Sequence, residues 1–172
     1  MKKALLLFSL ALVVFASCKK DDDSEDSTSE PKYEFKNQVL QGQIEGEPWV
    51  FASGKFKLDT FFVSEGEYKV ELYPITDSNM CDYFFNADTD RVILTVPLVI
   101  GINELNIDLS GNTDSETITL LDNETFTNVI SHIGAYEVVR IDTAAGEMEL
   151  KIDAQYDDQN FINGNCTISY CR

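Results

Sequence analysis

The only histidine of the chain, His132, is the first side chain to consider for catalysis, and Ser131 precedes it. A serine nucleophile activated by histidine needs the two side chains within hydrogen-bond reach. Adjacent side chains of a strand point to opposite faces, so Ser131 is not placed to be activated by its neighbour. A single histidine without paired ligand spacing also argues against a zinc site. We assign no catalytic residue and interpret His132 as a surface or turn residue.

Acidic side chains offer a second chemistry, because residues 37–172 hold 23 acidic and seven basic side chains. Two carboxyl groups about 5 to 9 Å apart can hydrolyse a glycosidic bond. With so many acids, pairs at that separation arise by chance, and the sequence selects none. A carboxylate-dependent hydrolase of glycans or peptides is therefore the alternative to a non-enzymatic function, which we favour. The negative charge also argues against nucleic acid as a partner.

Oxygen ligands suited to calcium cluster around one predicted turn near the end of the chain, at Asp153, Asp157, Asp158, Asn160 and Asn163. Calcium takes six to eight oxygen ligands, and carboxylates and amides supply them. The spacing does not match the EF-hand loop, and a solvated hairpin turn is the favoured interpretation. We assign no cofactor, and a calcium-stabilised structural domain stands as a further alternative.

Three cysteines, Cys81, Cys166 and Cys171, belong to the predicted folded part. Cys166 and Cys171 lie in one predicted strand, about 16 Å apart and on opposite faces, whereas a disulfide needs Cα atoms within about 7 Å. Cys166 shares a face with Ile168 and Tyr170, which suits a buried free thiol. We predict a Cys81–Cys171 disulfide, worth roughly 4 kcal/mol in the chain-entropy model, with Cys81–Cys166 as the alternative.

Aromatic side chains could line a face that binds a sugar or a peptide, although in a β domain they are more often core. The run Tyr83, Phe84 and Phe85 is the candidate for partial exposure. Three consecutive residues cannot all face one side of a strand, so at least one of them is expected to face away from the core.

The elements that would position these residues are short strands. Nine or so segments that alternate apolar with polar residues or are rich in β-branched residues are separated by turn residues, which predicts an all-β fold, a single antiparallel sandwich or barrel-like domain. One short helix is predicted over residues 78–85 and a turn at residues 103–104. The predicted strands are residues 39–44, 49–52, 55–58, 68–73, 91–96, 117–120, 136–141, 148–154 and 165–171, and the apolar residues between 102 and 109 are placed around the turn at 103–104.

The start of the chain has the order of a secretion signal. Lys2 and Lys3 precede an apolar run at residues 4–16, and small residues lead to Cys18. The run has 13 residues, whereas a membrane-spanning helix needs about 20. We expect cleavage before Cys18 and attachment of lipid to its sulfur. Residues 18–36 hold seven acids and four bases and are predicted to form a flexible tether, so the β domain covers residues 37–172.

The segment from Phe15 to Cys18 resembles the lipobox of bacterial lipoproteins, with phenylalanine in place of the usual leucine. Residues 19–23, Lys-Lys-Asp-Asp-Asp, look like the export tag of surface lipoproteins in the Bacteroidetes lineage. The resemblance implies two or three acyl chains at Cys18, which anchor a protein stably. It also implies an outer-membrane lipoprotein that faces the cell exterior, with outer-membrane lipid as one partner.

A second resemblance covers roughly residues 42–171. Val96-Pro97 with Gly101, the segment at residues 134–141, Gly164 and a terminal cysteine are similar to an uncharacterised type of small flavobacterial lipoprotein. That resemblance implies a compact β domain on a lipid tether and no activity. The sequence therefore predicts a non-enzymatic surface module that binds or accompanies a surface protein or glycan.

Overall fold

A computed structural model describes residues 33–58, 66–82, 88–110 and 115–172, which lie in one compact unit of residues 31–172. Within those ranges the chain is all β, as predicted, and its strands form one curled sheet that makes half a barrel. These ranges contain no helix. The strands are β1 Gln41–Ile44, β2 Glu47–Val50, β3 Ser53–Lys57, β4 Glu67–Tyr73, β5 Arg91–Pro97, β6 Gly101–Glu104, β7 Ile118–Asp122, β8 Thr127–Ser131, β9 Ile133–Asp142, β10 Glu147–Gln155 and β11 Phe161–Tyr170.

The sheet consists of two antiparallel halves joined by one parallel contact. The order is β6-β9-β10-β11-β3-β4-β5-β7-β8, and the β1–β2 hairpin pairs with β11 off this path. Only β11 and β3 run parallel among these strand pairs, through two residue pairs, Ser169 with Lys55 and Tyr170 with Phe56. We call this contact the seam. The purely antiparallel sheet that the sequence suggested is thus interrupted at one position.

The curl of the sheet has local causes in its longest strands. Val139 has no partner on β10, because the register shifts between Glu149 and Leu150, and such a bulge bends and twists a sheet. Gly164 in β11 has φ +140°, and an added Cβ would lie 2.7 Å from the Val39 carbonyl oxygen. A side chain at this position would therefore push away the chain segment that precedes β1.

The inner face of the sheet carries the core, as strict alternation in the sequence predicted. In β10 the side chains of Met148, Leu150, Ile152 and Ala154 are all buried. β5 and β7 bury alternate apolar residues in the same way. The core of a half-barrel is thus assembled from period-2 strands, each with one apolar face.

The last residues of the predicted tether contact the domain. The Glu34 amide donates a hydrogen bond to Asp153 Oδ2 at 2.8 Å, and the Lys36 amide donates to Asn163 Oδ1 at 2.9 Å. The Leu40 amide then donates to the Asn165 carbonyl oxygen at 2.9 Å. Residues 34–40 therefore lie along β10 and β11 before β1 begins.

Two local predictions are wrong. Residues 78–82, the described part of the predicted helix, form turns, because the Asp77 carboxylate accepts the Asn79 amide at 2.7 Å and competes with helical bonding. Asn103 and Glu104 end strand β6 instead of forming a turn, since they pair with β9. Pairing with a neighbouring strand here outweighs local turn preference. The described ranges contain no helix that is long and apolar enough to cross a membrane.

The predicted disulfide between Cys81 and Cys171 is confirmed, with the two Cα atoms 5.2 Å apart. Cys171 directly follows the seam, and its amide donates to the Phe56 carbonyl oxygen at 2.9 Å. Cys166 is a buried free thiol, also as predicted, and burial raises its pKa to about 12. The disulfide therefore ties the turn after β4 to the end of β11.

Replacing both Cys81 and Cys171 by serine should lower the free energy of unfolding by about 2–5 kcal/mol, because the bond closes a loop of 90 residues. Equilibrium denaturation in urea measures this loss. The wild-type protein in the presence of a thiol reductant is the matched control and should unfold at the same urea concentration as the double variant. Equal stability of the oxidised, reduced and double-variant proteins would contradict a structural role for the disulfide.

Candidate binding groove

A groove of about 510 Å³ lies beside strand β8. One wall is β8 with His132, and the other is formed by the β1–β2 and β10–β11 turns. Ligand sites usually have volumes of about 300–1,000 Å³, so the size suits binding. We call this cavity the β8 groove. Its lining residues are Glu45, Ile107, Thr127, Asn128, Val129, Ile130, His132, Tyr156, Asp157, Gln159 and Asn160.

The wall opposite β8 is built by two turns that are hydrogen-bonded to each other. The Glu45 amide donates to Asn160 Oδ1, and the Gly46 amide donates to the Gln159 carbonyl oxygen, both at 2.9 Å. Asp157 Oδ1 in turn accepts from the Gln159 amide at 2.9 Å and the Asn160 side-chain amide at 3.1 Å. This network fixes the position of Glu45 and Asp157 along the groove.

Two non-glycine residues with positive φ flank the β8 groove, and they are the only two in the described part of the chain. Glu45 has φ 52° and Gly46 has φ 81°, the pattern of a type I′ turn, in which asparagine is preferred at the first position. Phe126 has φ 57°, lies directly before β8 and is 80% exposed. Such conformations cost of order 1–3 kcal/mol each and tend to occur at functional sites.

Strand β8 is an edge of the sheet. Within the described residues it pairs only with β7. The pairing runs from Ile118 opposite Ser131 to Asp122 opposite Thr127. Its side chains alternate, so that Val129 and Ser131 are buried while Asn128 and Ile130 are exposed. The outer edge of β8 therefore presents backbone donors and acceptors that β7 does not use.

His132 lies at the end of this edge. Its side chain and that of Ser131 are on opposite faces of the strand, so the two cannot act together as a nucleophile and its base. Ser131 is fully buried on the other side of the strand, and its hydroxyl has no hydrogen-bond partner among the residues that the structure describes. The His132 ring is 6.4 Å from that of Tyr156, centroid to centroid, and its Nδ1 is 3.3 Å from the Ile130 carbonyl oxygen. The histidine is thus a half-buried part of the groove wall.

A smaller, more apolar cavity of about 210 Å³ lies elsewhere, near the seam. Phe56, Tyr68 and Tyr170 form a cluster of rings on one side of it, with centroids 5.3 to 6.2 Å apart. The cavity is smaller than most ligand sites. We therefore regard the β8 groove as the candidate functional site. The other residues that line the small cavity are Leu98, Ile141, Asp142, Thr143 and Gly146.

A buried ionic cluster covers the outer face of the sheet next to the seam. Lys55 is 3% exposed, and its Nζ lies 3.1 Å from Glu71 Oε2 and 2.6 Å from the Met80 carbonyl oxygen. Burial raises the pKa of Glu71, but the hydrogen bond from Tyr73 and the charges of Lys69 and Lys55 outweigh burial and lower it to about 2. Through the Met80 carbonyl the cluster holds the turn that carries Cys81, so its role is structural.

The predicted calcium ligands are engaged in hydrogen bonds within the protein. Asp153 accepts from the Asn163 side chain at 2.8 Å, and Asp157 accepts from Asn160 at 3.1 Å, while Asp158 is exposed in the same turn. In the described ranges no group of three or more histidine, cysteine or acidic residues is arranged to hold a metal ion. Calcium binding stays a prediction.

Other predicted site residues lie outside the described residues. These are Tyr83, Phe84 and Phe85, the candidate ligand face, and Cys18, the predicted lipid attachment site. Trp49 is buried and belongs to the hydrophobic core. The residues of the β8 groove were not predicted as a group, because they come from turns and strands that are far apart in the sequence.

Comparison with known proteins gives no match: no family model, no curated protein and no solved structure matches this chain. The chemistry of the groove is therefore argued from its own residues.

Replacing Glu71 by glutamine should destabilise the protein at neutral pH by about 3 kcal/mol, because the buried charge of Lys55 loses the carboxylate that lies 3.1 Å from it. The folded-state pKa of Glu71 lies below its usual value of 4.5. Its contribution to stability is therefore present above pH 4.5 and is lost as the pH falls towards 2. The stability gap between wild type and Glu71→Gln should narrow over that range, as measured by urea denaturation.

The matched control for this experiment is Glu147→Gln, which removes one carboxylate of a half-exposed ion pair. Exposed pairs contribute about 0–1 kcal/mol, so this variant should follow the wild type at every pH. A gap between wild type and Glu71→Gln that stays constant from pH 7 to pH 3 would contradict the lowered pKa.

Replacing Glu45 by asparagine should raise the free energy of unfolding by about 1 kcal/mol, because asparagine tolerates positive φ at this turn position. The backbone hydrogen bond from residue 45 to Asn160 is retained. The control is Glu47→Asn in β2, where φ is not positive and no gain is expected. Thermal unfolding measures both, and an unchanged or lower stability of Glu45→Asn would refute strain at this position.

Proposed function

We propose that the chain is a lipid-anchored module of the bacterial outer membrane that faces the cell exterior and binds a protein or glycan partner without transforming it. The observation that carries the anchoring is the position of Cys18, directly after a short apolar leader that ends in small residues. The acidic stretch that follows Cys18 holds no apolar side chain up to residue 32, which suits a solvated spacer.

The binding function is supported by the β8 groove. Its volume of about 510 Å³ and its mixture of apolar, amide and carboxylate side chains are typical of recognition sites. Tyr156 is half exposed and offers one ring face, beside His132. The hydrogen-bonded turns that form the far wall hold this surface in one arrangement before a partner arrives, which lowers the entropic cost of binding.

A hydrolase would need a carboxyl group with a raised pKa to act as general acid near neutral pH. Glu71 and Asp142 are carboxyl groups with a clear shift, and both have lowered pKa values. Glu71 is also on the outer face of the sheet beneath the Cys81 turn, away from the groove. These observations favour binding over hydrolysis.

Replacing Cys18 by alanine should abolish lipid attachment and release the protein from the membrane, since no other side chain of the leader offers a thiol. Metabolic labelling with a palmitate analogue and membrane fractionation measure both effects. Cys166→Ala is the matched control, because it removes a buried cysteine of the domain and should keep the label. A Cys18→Ala protein that still carries label and fractionates with the outer membrane would refute the anchor.

A further inference from the structure

The free edges of the sheet differ in how they are protected. Among the described residues, β2 is an edge strand that contains Pro48, which has no amide hydrogen, and Glu47. β6 is an edge of four residues that ends in Glu104, and its continuation at Asn106 is paired with Glu116. Prolines, charges and short length are the usual means by which edge strands avoid pairing with other chains.

Strand β8 lacks the proline and the charges that protect the other two edges. Its five residues, Thr-Asn-Val-Ile-Ser, contain no charge and no proline, and Ile130 on its outer face is 45% exposed. Five residues present an edge of about 17 Å. This edge lies along the β8 groove, so an incoming strand would enter a cavity and not a flat surface.

The charge of the groove restricts what can enter. Glu45 and Asp157 line it, no lysine or arginine does, and neither carboxylate is in a salt bridge within the described residues. The basic side chains Lys69, Arg140 and Lys151 are paired with carboxylates elsewhere on the sheet. The groove is therefore complementary to a positively charged segment.

We propose that the β8 groove binds an extended, basic segment of a partner protein, which adds to the free edge of β8 as a further strand. The inference rests on the proposed binding function and names the class of partner. Backbone hydrogen bonds to β8 supply affinity, as in other complexes formed by strand addition. The apolar side chains Ile107, Ile130 and Tyr156 contact alternate residues of the segment, and Glu45 and Asp157 pair with its lysine or arginine side chains.

Charge also argues against two other occupants of the edge. Each copy of this chain has a formal net charge of −17, so two copies repel each other, which disfavours pairing of two β8 edges. Residues 19–32 of the chain itself hold six acidic and three basic side chains and no apolar residue, which fits an acidic, partly apolar groove poorly.

The test uses the full chain and three labelled heptapeptides, with binding followed by fluorescence anisotropy. The first probe alternates lysine with valine, the second has glutamate in place of lysine, and the third has the same number of lysines as the first but two adjacent prolines at its centre. The first should bind, and the other two should bind at least about tenfold more weakly, because one has the wrong charge and the other cannot donate backbone hydrogen bonds.

Variants of the two edges then locate the binding. Ile130→Lys places a charge on β8 and should weaken binding of the basic probe by about tenfold. Ile102→Lys adds the same charge to β6 at a residue of similar exposure, 51% against 45%, and should change binding by less than about twofold. Hydrogen exchange of the wild-type protein should show slower exchange of Thr127–Ser131 amides in the presence of the basic probe, independently of any variant.

Several results would overturn the proposal. Equal binding of the proline probe, equal effects of Ile130→Lys and Ile102→Lys, or unchanged exchange along β8 would each exclude strand addition. Binding of a neutral glycan array ligand that Ile130→Lys blocks, without binding of the basic probe, would exclude the peptide and keep the proposed binding function. A dimer in solution that Ile130→Lys dissociates would assign the edge to a second copy. The anchoring test at Cys18 is independent of all these outcomes.

Discussion

The seam between β3 and β11 is the constraint on which the rest of this architecture depends. Only two residue pairs join the two antiparallel halves of the sheet there, and parallel pairing is slightly weaker per residue than antiparallel pairing. Three further interactions reinforce the seam from outside the ladder: the Cys81–Cys171 disulfide, the buried Lys55–Glu71 ion pair and the ring cluster around Tyr170. A weak backbone joint is thus stabilised by covalent, ionic and apolar contacts in one place.

The position of the β8 groove follows from this arrangement. β8 ends the half of the sheet that begins at β3, while the facing wall comes from the turns attached to β1, β10 and β11 in the other half. The bulge at Val139 and the close approach at Gly164 set how strongly the second half curls towards the first. The groove therefore lies between the edge strand β8 of one half and the turns of the other half, which the seam joins.

Much of the fold could be predicted from the sequence because its causes are local. The alternation in β10 and the turn residues after β9 correctly predicted both strands and the buried face of β10. The rise per residue of a strand correctly excluded a disulfide between Cys166 and Cys171. The seam could not be predicted, since a two-residue parallel contact has no local pattern. β8 was not predicted, because it is short and follows polar residues, so the sequence shows no clear strand pattern there. The segment forms a strand by pairing with β7. The groove residues were missed as a group, because no spacing links Glu45 to Tyr156, although His132, Asp157 and Asn160 were each considered singly.

The strained turn at Glu45 and the unprotected edge of β8 are both unfavourable for stability or solubility, and both are explained if selection for binding retained them. Asparagine at position 45 and a lysine at position 130 are both single substitutions that general principles of turns and edges would favour for stability and solubility. The chain instead keeps a carboxylate at positive φ and an uncharged edge on opposite walls of one cavity. Natural proteins keep such local costs where binding needs them, because a more stable residue would remove the group that contacts the partner. The coincidence of charge, strain and free edge in the β8 groove is therefore better explained by recognition of a basic strand than by the requirements of folding.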